Sequence, residues 1–240
     1  MKGILGLLFL GCVMLLGCKS SSNPVADMPS PQNKVPWIGI VFRNHITNTT
    51  DANAVTTSGL IASMNTQAAA PWLRPFDTIA AVSFKNIDQW TLVNGSLTEV
   101  LTKTAVGDSV FGCTLKFNGS VPGNTYTNTL AYSDSNRTDG KYGYWAEYYL
   151  PMEILVRPHE FSYAVNAQGT STGKDILLPD GPQIVIADSA NGSGVIVKST
   201  LVAGTFFVVT FKAQWLLDGS GQWTSYDIQG KLTGTGIWGK

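Results

Sequence analysis

Side-chain alternation is the feature that most constrains this chain. Phe111, Cys113, Leu115 and Phe117 are interleaved with Gly112, Thr114, Lys116 and Asn118, and Phe207, Val209, Phe211, Ala213 and Trp215 with Thr210, Lys212 and Gln214. Met152, Ile154 and Val156 form a similar row beside Glu153 and Arg157, and Phe161, Tyr163 and Val165 follow. Successive residues of a strand point to opposite faces, so each apolar set shares one buried face. Asn94-Gly95, Asn118-Gly119, Asp139-Gly140, Asp180-Gly181, Asn191-Gly192 and Asp218-Gly219 punctuate these runs. Such dipeptides supply the positive φ of tight hairpins. Beyond the amino terminus no window sustains a 3.6-residue period. Residues 44–75, rich in Thr and Asn, suggest at most a helical turn or two between Leu60 and Ala70. The expected fold is therefore all-β: an antiparallel β-sandwich or barrel of roughly ten or more strands over residues 37–240. Val82-Ser83-Phe84-Lys85 with Gln89-Trp90 echoes Val209-Thr210-Phe211-Lys212 with Gln214-Trp215. Two related β halves would produce that echo, and so would coincidence between two strands.

Composition narrows the class. Charged residues make up 13%, about half the ~25% of an ordinary domain, while 44% apolar residues exclude a disordered chain. Sixteen basic residues balance sixteen acidic ones, and no basic stripe marks a nucleic-acid partner.

The amino terminus has a different logic. Lys2 precedes an uncharged apolar run, Gly3–Gly17, which ends at Cys18. A short basic region, an apolar stretch and a small residue before the break form a secretory signal. The run is shorter than the ~20 residues a helix needs to cross a bilayer. Leu15-Leu16-Gly17-Cys18 resembles the lipobox of bacterial lipoproteins. The resemblance implies cleavage before Cys18, acylation of its thiol with chains such as palmitate, and a protein anchored to the cell envelope rather than spanning it. Two or more acyl chains suffice for stable anchoring. Cys12, after Gly11, is a second candidate, but cleavage there would leave a Leu-rich start. Lys19 stands where, by the same resemblance, Asp favours inner-membrane retention, so the outer membrane is implied if the organism is Gram-negative, and the cell surface if it is Gram-positive. Residues 19–36, with Ser20-Ser21-Ser22, Pro24, Pro29, Pro31 and Pro36, read as an extended tether.

Candidate chemistry is sparse. With Cys12 removed and Cys18 acylated, Cys113 is the remaining thiol; its parity with Phe111 and Leu115 predicts burial and no disulfide. His45 lies in the Asn/Thr-rich stretch, and His159 stands beside Glu160, near Glu153 and Arg157. Such a His can do acid–base work, but no zinc-type spacing accompanies either one, and no Gly-x-Ser-x-Gly elbow is present. Asp134-Ser135-Asn136-Arg137-Thr138-Asp139-Gly140 faintly resembles a calcium loop, although Arg137 and the missing terminal Glu favour a plain hairpin. Nothing implies a cofactor. The aromatic segment Tyr142-Gly143-Tyr144-Trp145-Ala146-Glu147-Tyr148-Tyr149 places rings on both faces of one strand. Trp145, Tyr149 and Tyr144 are its candidate ligand-stacking residues, against the competing reading that such rings fill the core. These readings point to an envelope lipoprotein carrying an all-β module that binds a glycan or an envelope protein. The rivals are a carbohydrate-active enzyme using Glu147 and Glu153 as paired carboxylates, and a purely structural protein assembling through a sheet edge.

Overall fold

The computed structural model describes residues 37, 39–79, 81–84, 87–149, 156–179 and 181–240, excluding the side chains of residues 84, 149, 156 and 157. The signal 1–18 with Cys18, the tether 19–36, and Met152, Glu153 and Ile154 lie outside the described residues.

The chain is all-β, with 57% of the described residues in strands. Thirteen antiparallel strands pair strictly in chain order: β1 (Val82–Phe84), β2 (Ile87–Asn94), β3 (Leu97–Gly107), β4 (Val110–Val121), β5 (Asn124–Arg137), β6 (Tyr142–Tyr149), β7 (Val156–Val165), β8 (Ser171–Leu177), β9 (Pro182–Asp188), β10 (Gly194–Val202), β11 (Phe206–Trp215), β12 (Gly221–Tyr226) and β13 (Leu232–Trp238). The sheet does not close. The expected antiparallel strands are there, arranged as one open meander. The two similar segments fall differently: Val82–Phe84 is β1 with Gln89 and Trp90 on β2, whereas Val209–Trp215 lies within β11.

Turn chemistry holds the meander together. Gly95, Gly140, Gly192 and Gly219 have φ of 62°, 70°, 85° and 86°, as the Asn-Gly and Asp-Gly signals require. At the β9–β10 and β11–β12 turns the same pair of backbone bonds recurs: Ser189 N–H to Ser193 O with Gly192 N–H to Ser189 O, and Leu216 N–H to Ser220 O with Gly219 N–H to Leu216 O. Asp180, of the Asp180-Gly181 pair, lies outside the described residues, and Asn118-Gly119 is the exception among the rest. Gly119, at φ 117°, lies inside β4, where the register with β5 slips between Phe117 and Gly119. An added Cβ there would strike the Ser96 carbonyl. This is a bulge, and the chain reverses instead at Pro122-Gly123.

Parity also has one break. Phe211, Ala213 and Trp215 are buried, but Val209 is 40% exposed, because the β10–β11 register shifts at Lys198/Ser199 and turns the preceding residues over.

The core face of the sheet is covered by residues 37 and 39–79. Helix α1 (Ala52–Ala68) is longer than the sequence suggested. Asp51 caps it, accepting from the N–H groups of Asn53 and Ala54 at 2.8 and 2.9 Å. Its buried face is Ala54, Thr57, Ile61, Met64 and Ala68, so small and polar residues mask the helical period that the spacing contains. The helix packs on β7–β10. A 3₁₀ helix, Pro71–Phe76, buries Trp72, Leu73 and Phe76 and contacts β2. Ahead of α1, Phe42 is fully buried, and the Asn65 amide bonds both its N–H and its carbonyl. Arg43 ties the same segment to β9, with its N–H 3.0 Å and its Nε 3.3 Å from Asp188 Oδ2.

Large rings on the core face lie across glycines of the neighbouring strands. Gly143 faces Tyr163, Gly194 faces Trp215, Gly221 stands between Trp215 and Trp238, and Gly236 faces Trp223. A Cβ on Gly143, Gly194 or Gly221 would run into the opposing ring. Gly59, in α1, has nothing within 4 Å of where its Cβ would stand. Gly221→Ala is therefore expected to lower stability by ~1–3 kcal/mol through overpacking. Gly59→Ala is expected to raise it by ~0.5–1 kcal/mol through helix propensity. Urea unfolding of both variants checks the contrast, and equal effects would contradict this packing.

Candidate functional site

The candidates named from sequence separate onto two faces. On the core face, register aligns Asp88, Lys103, Cys113, Asp134, Trp145, Phe161 and Asp175 across β2–β8. Trp145 is 2% exposed; its Nε1–H donates to the Gln67 carbonyl at 3.0 Å, and its ring meets Phe161 and His159. A ring so enclosed offers no open face to a sugar, and its place is in the core. Tyr144 has the opposite parity, and its hydroxyl donates to Glu160 Oε2 at 3.2 Å. The Tyr149 side chain lies outside what is described.

Cys113 is buried, and desolvation, followed by the Asp134 carboxylate, pushes its thiol up, away from the reactive thiolate. His45 packs beneath the β9–β10 turn, so close to Gly192 that a Cβ there would stand 2.9 Å from Nε2. His159 pairs with a residue that no sequence motif marks: its Nε2 is 2.7 Å from Asp175 Oδ1 on β8. Glu160, its sequence neighbour, points to Tyr144 instead. The missed signal was parity, since Asp175 falls on the same face as the buried Ser171 and Gly173 of β8. Glu147 stands opposite both His159 and Tyr132. Burial, then the Glu147 carboxylate that accepts its hydroxyl, raises the Tyr132 phenol to about 12. Glu153 lies outside the described residues. In the Asp134–Gly140 stretch, Asp134 and Asn136 are buried on β5, and Arg137 pairs with Asp139 at 2.8 Å across the turn. This is a hairpin held by an ion pair.

The opposite face carries a wide cavity. It is an open groove of about 700 Å³ across β9–β13. Register places Ala187, Val195, Gln214, Gln222 and Ile237 in one row over five strands. Gly194 and Gly221 also line the groove, and the turn residues Ser189, Ser193, Leu216 and Ser220 close one end. The Gln222 amide donates to the Gln214 carbonyl at 2.6 Å, which leaves the Gln214 NH₂ and the Gln222 carbonyl for a ligand. No ionisable side chain is among the lining residues. The groove offers hydroxyls, amides, aliphatic surface and the indoles of the largely buried Trp215 and Trp238, and sequence reasoning missed it. Its parts come from four hairpins, and each is an ordinary residue where it stands.

No protein-family model matches the chain, and no curated protein matches it.

Asp134 gives the core face a testable signature. Burial raises its carboxyl from 3.8 to about 7, against the Cys113 N–H that bonds its Oδ1 at 2.8 Å. The folded state thus keeps a proton that the unfolded state releases near pH 4. This group's contribution is complete below that pH and is lost as pH rises to about 7. Urea unfolding between pH 4 and 7 is expected to show wild-type stability falling relative to Asp134→Asn. Parallel curves for the two proteins would refute the assignment.

Proposed function

We propose that this chain is an envelope lipoprotein, anchored through an acylated Cys18, whose all-β domain binds an uncharged glycan in the β9–β13 groove. One observation carries the reading: the β9–β13 groove is lined by Gln and Ser, by aliphatic groups and by Trp215 and Trp238, with no charge. Sugar rings present hydroxyls at their edges and C–H groups on their faces, and this lining complements both. Binding rather than hydrolysis follows from the same fact. Glycosidase chemistry needs two carboxyl groups flanking the scissile bond, and none lines this groove. The tether 19–36 would hold the domain clear of the lipid surface. In a Gram-negative cell the anchor would lie in the outer membrane, the location implied by Lys19.

The anchor and the groove are tested separately. Cys18→Ser is expected to abolish palmitate labelling and release the protein from the membrane fraction; unchanged labelling would refute acylation at Cys18. For the groove, the full chain in detergent is applied to an array of neutral and charged glycans. Retention is expected on neutral glycans and should be indifferent to salt, because no ion pair is screened. Gln214→Ala with Gln222→Ala should weaken it several-fold, from the loss of about 1 kcal/mol per hydrogen bond. Preference for charged glycans, or retention untouched by both substitutions, would overturn the reading.

A further inference from the structure

The two edges of the sheet are unlike. β1 has three residues, whereas β13 has seven and, among the described residues, pairs with β12 alone. Exposed edges are normally blunted by Pro, by charge or by a covering element. Between Leu232 and Trp238 the chain reads Thr-Gly-Thr-Gly-Ile, with neither Pro nor charge. The register irregularity against β12, at Ser225/Tyr226, falls at the start of β13 and leaves Gly234–Trp238 regular. An edge of this length has its next row of backbone donors and acceptors in place.

What lies around β13 indicates the occupant. Leu232 and Ile237, near opposite ends of the strand, are 55% and 81% exposed. One Asp and one Lys stand beyond each end: Asp227 and Lys231 before the strand, and Asp218 and Lys240, 3.9 Å apart, after it. A two-fold axis normal to the sheet, beside the free edge at Thr235, runs the strand antiparallel to its own copy, with the irregularity between Leu232 and Gly234 taking up one residue. That operation sets Leu232 toward the second copy's Ile237, Lys231 toward the second copy's Asp218, and Asp227 toward the second copy's Lys240. Aliphatic surface meets aliphatic surface and each charge meets its opposite, as an isologous interface requires.

We propose that β13 is a self-association edge, through which two copies of the chain pair antiparallel into one continuous sheet. This does not depend on the glycan reading. It is tested in cells expressing the full chain with a single cysteine added at Thr235. Directly opposed residues of antiparallel strands lie within disulfide reach, so mild oxidation is expected to make the disulfide-linked dimer the major species. Val93→Cys, at a site on β2 that is 66% exposed in the parent, reports random collision and should give little dimer. Ile237→Lys, added to Thr235→Cys, should suppress the crosslink by setting a charge on the edge. The proposal is overturned if Thr235→Cys dimerises no more than Val93→Cys. It is equally overturned if the added thiol bonds instead to a cysteine placed in the tether at Ser21. As a check independent of engineered thiols, the unaltered full chain in detergent should show a concentration-dependent dimer in sedimentation, and a monomer at every concentration would overturn the proposal.

Discussion

The fold depends on aromatic rings seated across glycines of adjacent strands. Trp215 lies between Gly194 and Gly221, Trp238 lies against Gly221, and Tyr163 lies against Gly143. A strand glycine alone weakens a sheet, because it loses backbone entropy and packs nothing. Opposite a large ring the balance reverses, since the missing Cβ makes the space the ring fills. Trp90, Trp145 and Trp215 are each 2% exposed or less, and truncating a buried ring of this size costs about 3–5 kcal/mol. Gly194 and Gly221 also leave bare backbone in the groove, so one sequence device shapes both the core face and the candidate binding face.

Pairing every strand with its sequence neighbour has a second consequence. A meander that does not close must find something else to cover its apolar face. Here the cover is α1, the 3₁₀ helix and the segment that leads into them. The attachments are specific: Asn65 holds the Phe42 backbone, Arg43 reaches Asp188, and Trp145 donates to Gln67. Two polar pairs on the core face are matched locally, His159 with Asp175 and Tyr132 with Glu147. Their positions suit stabilisation of a partly polar interior.

Much of this was legible in the sequence. Alternation located β4, β7 and β11, and Asn-Gly and Asp-Gly marked several true turns. Where the reading failed, a specific physical cause can be named. Gly119 was read as a turn because Asn-Gly is the usual hairpin signal, yet the positive φ serves a bulge. Val209 left its expected face because one register shift inverts parity. Helix α1 was underestimated because Ala54, Thr57 and Ala68 make a buried face with little hydropathy contrast. Asp175 escaped notice because a lone strand carboxylate says nothing until the register brings His159 beside it. The groove is the extreme case, since its row of Ala187, Val195, Gln214, Gln222 and Ile237 exists only once five strands are aligned.

In this account the open sheet, the aromatic rings and α1 form one cooperative body. Native-state hydrogen exchange tests that most directly. If α1 is the sheet's necessary cover, the amides of its central turns, around Ile61 and Met64, exchange through the same global opening as Ile186 on β9 and Ile196 on β10, with equal opening free energies and equal denaturant dependence. Helix amides that exchange through a low-energy local opening, while Ile186 and Ile196 stay protected, would show that the sheet stands without its cover and would contradict the account.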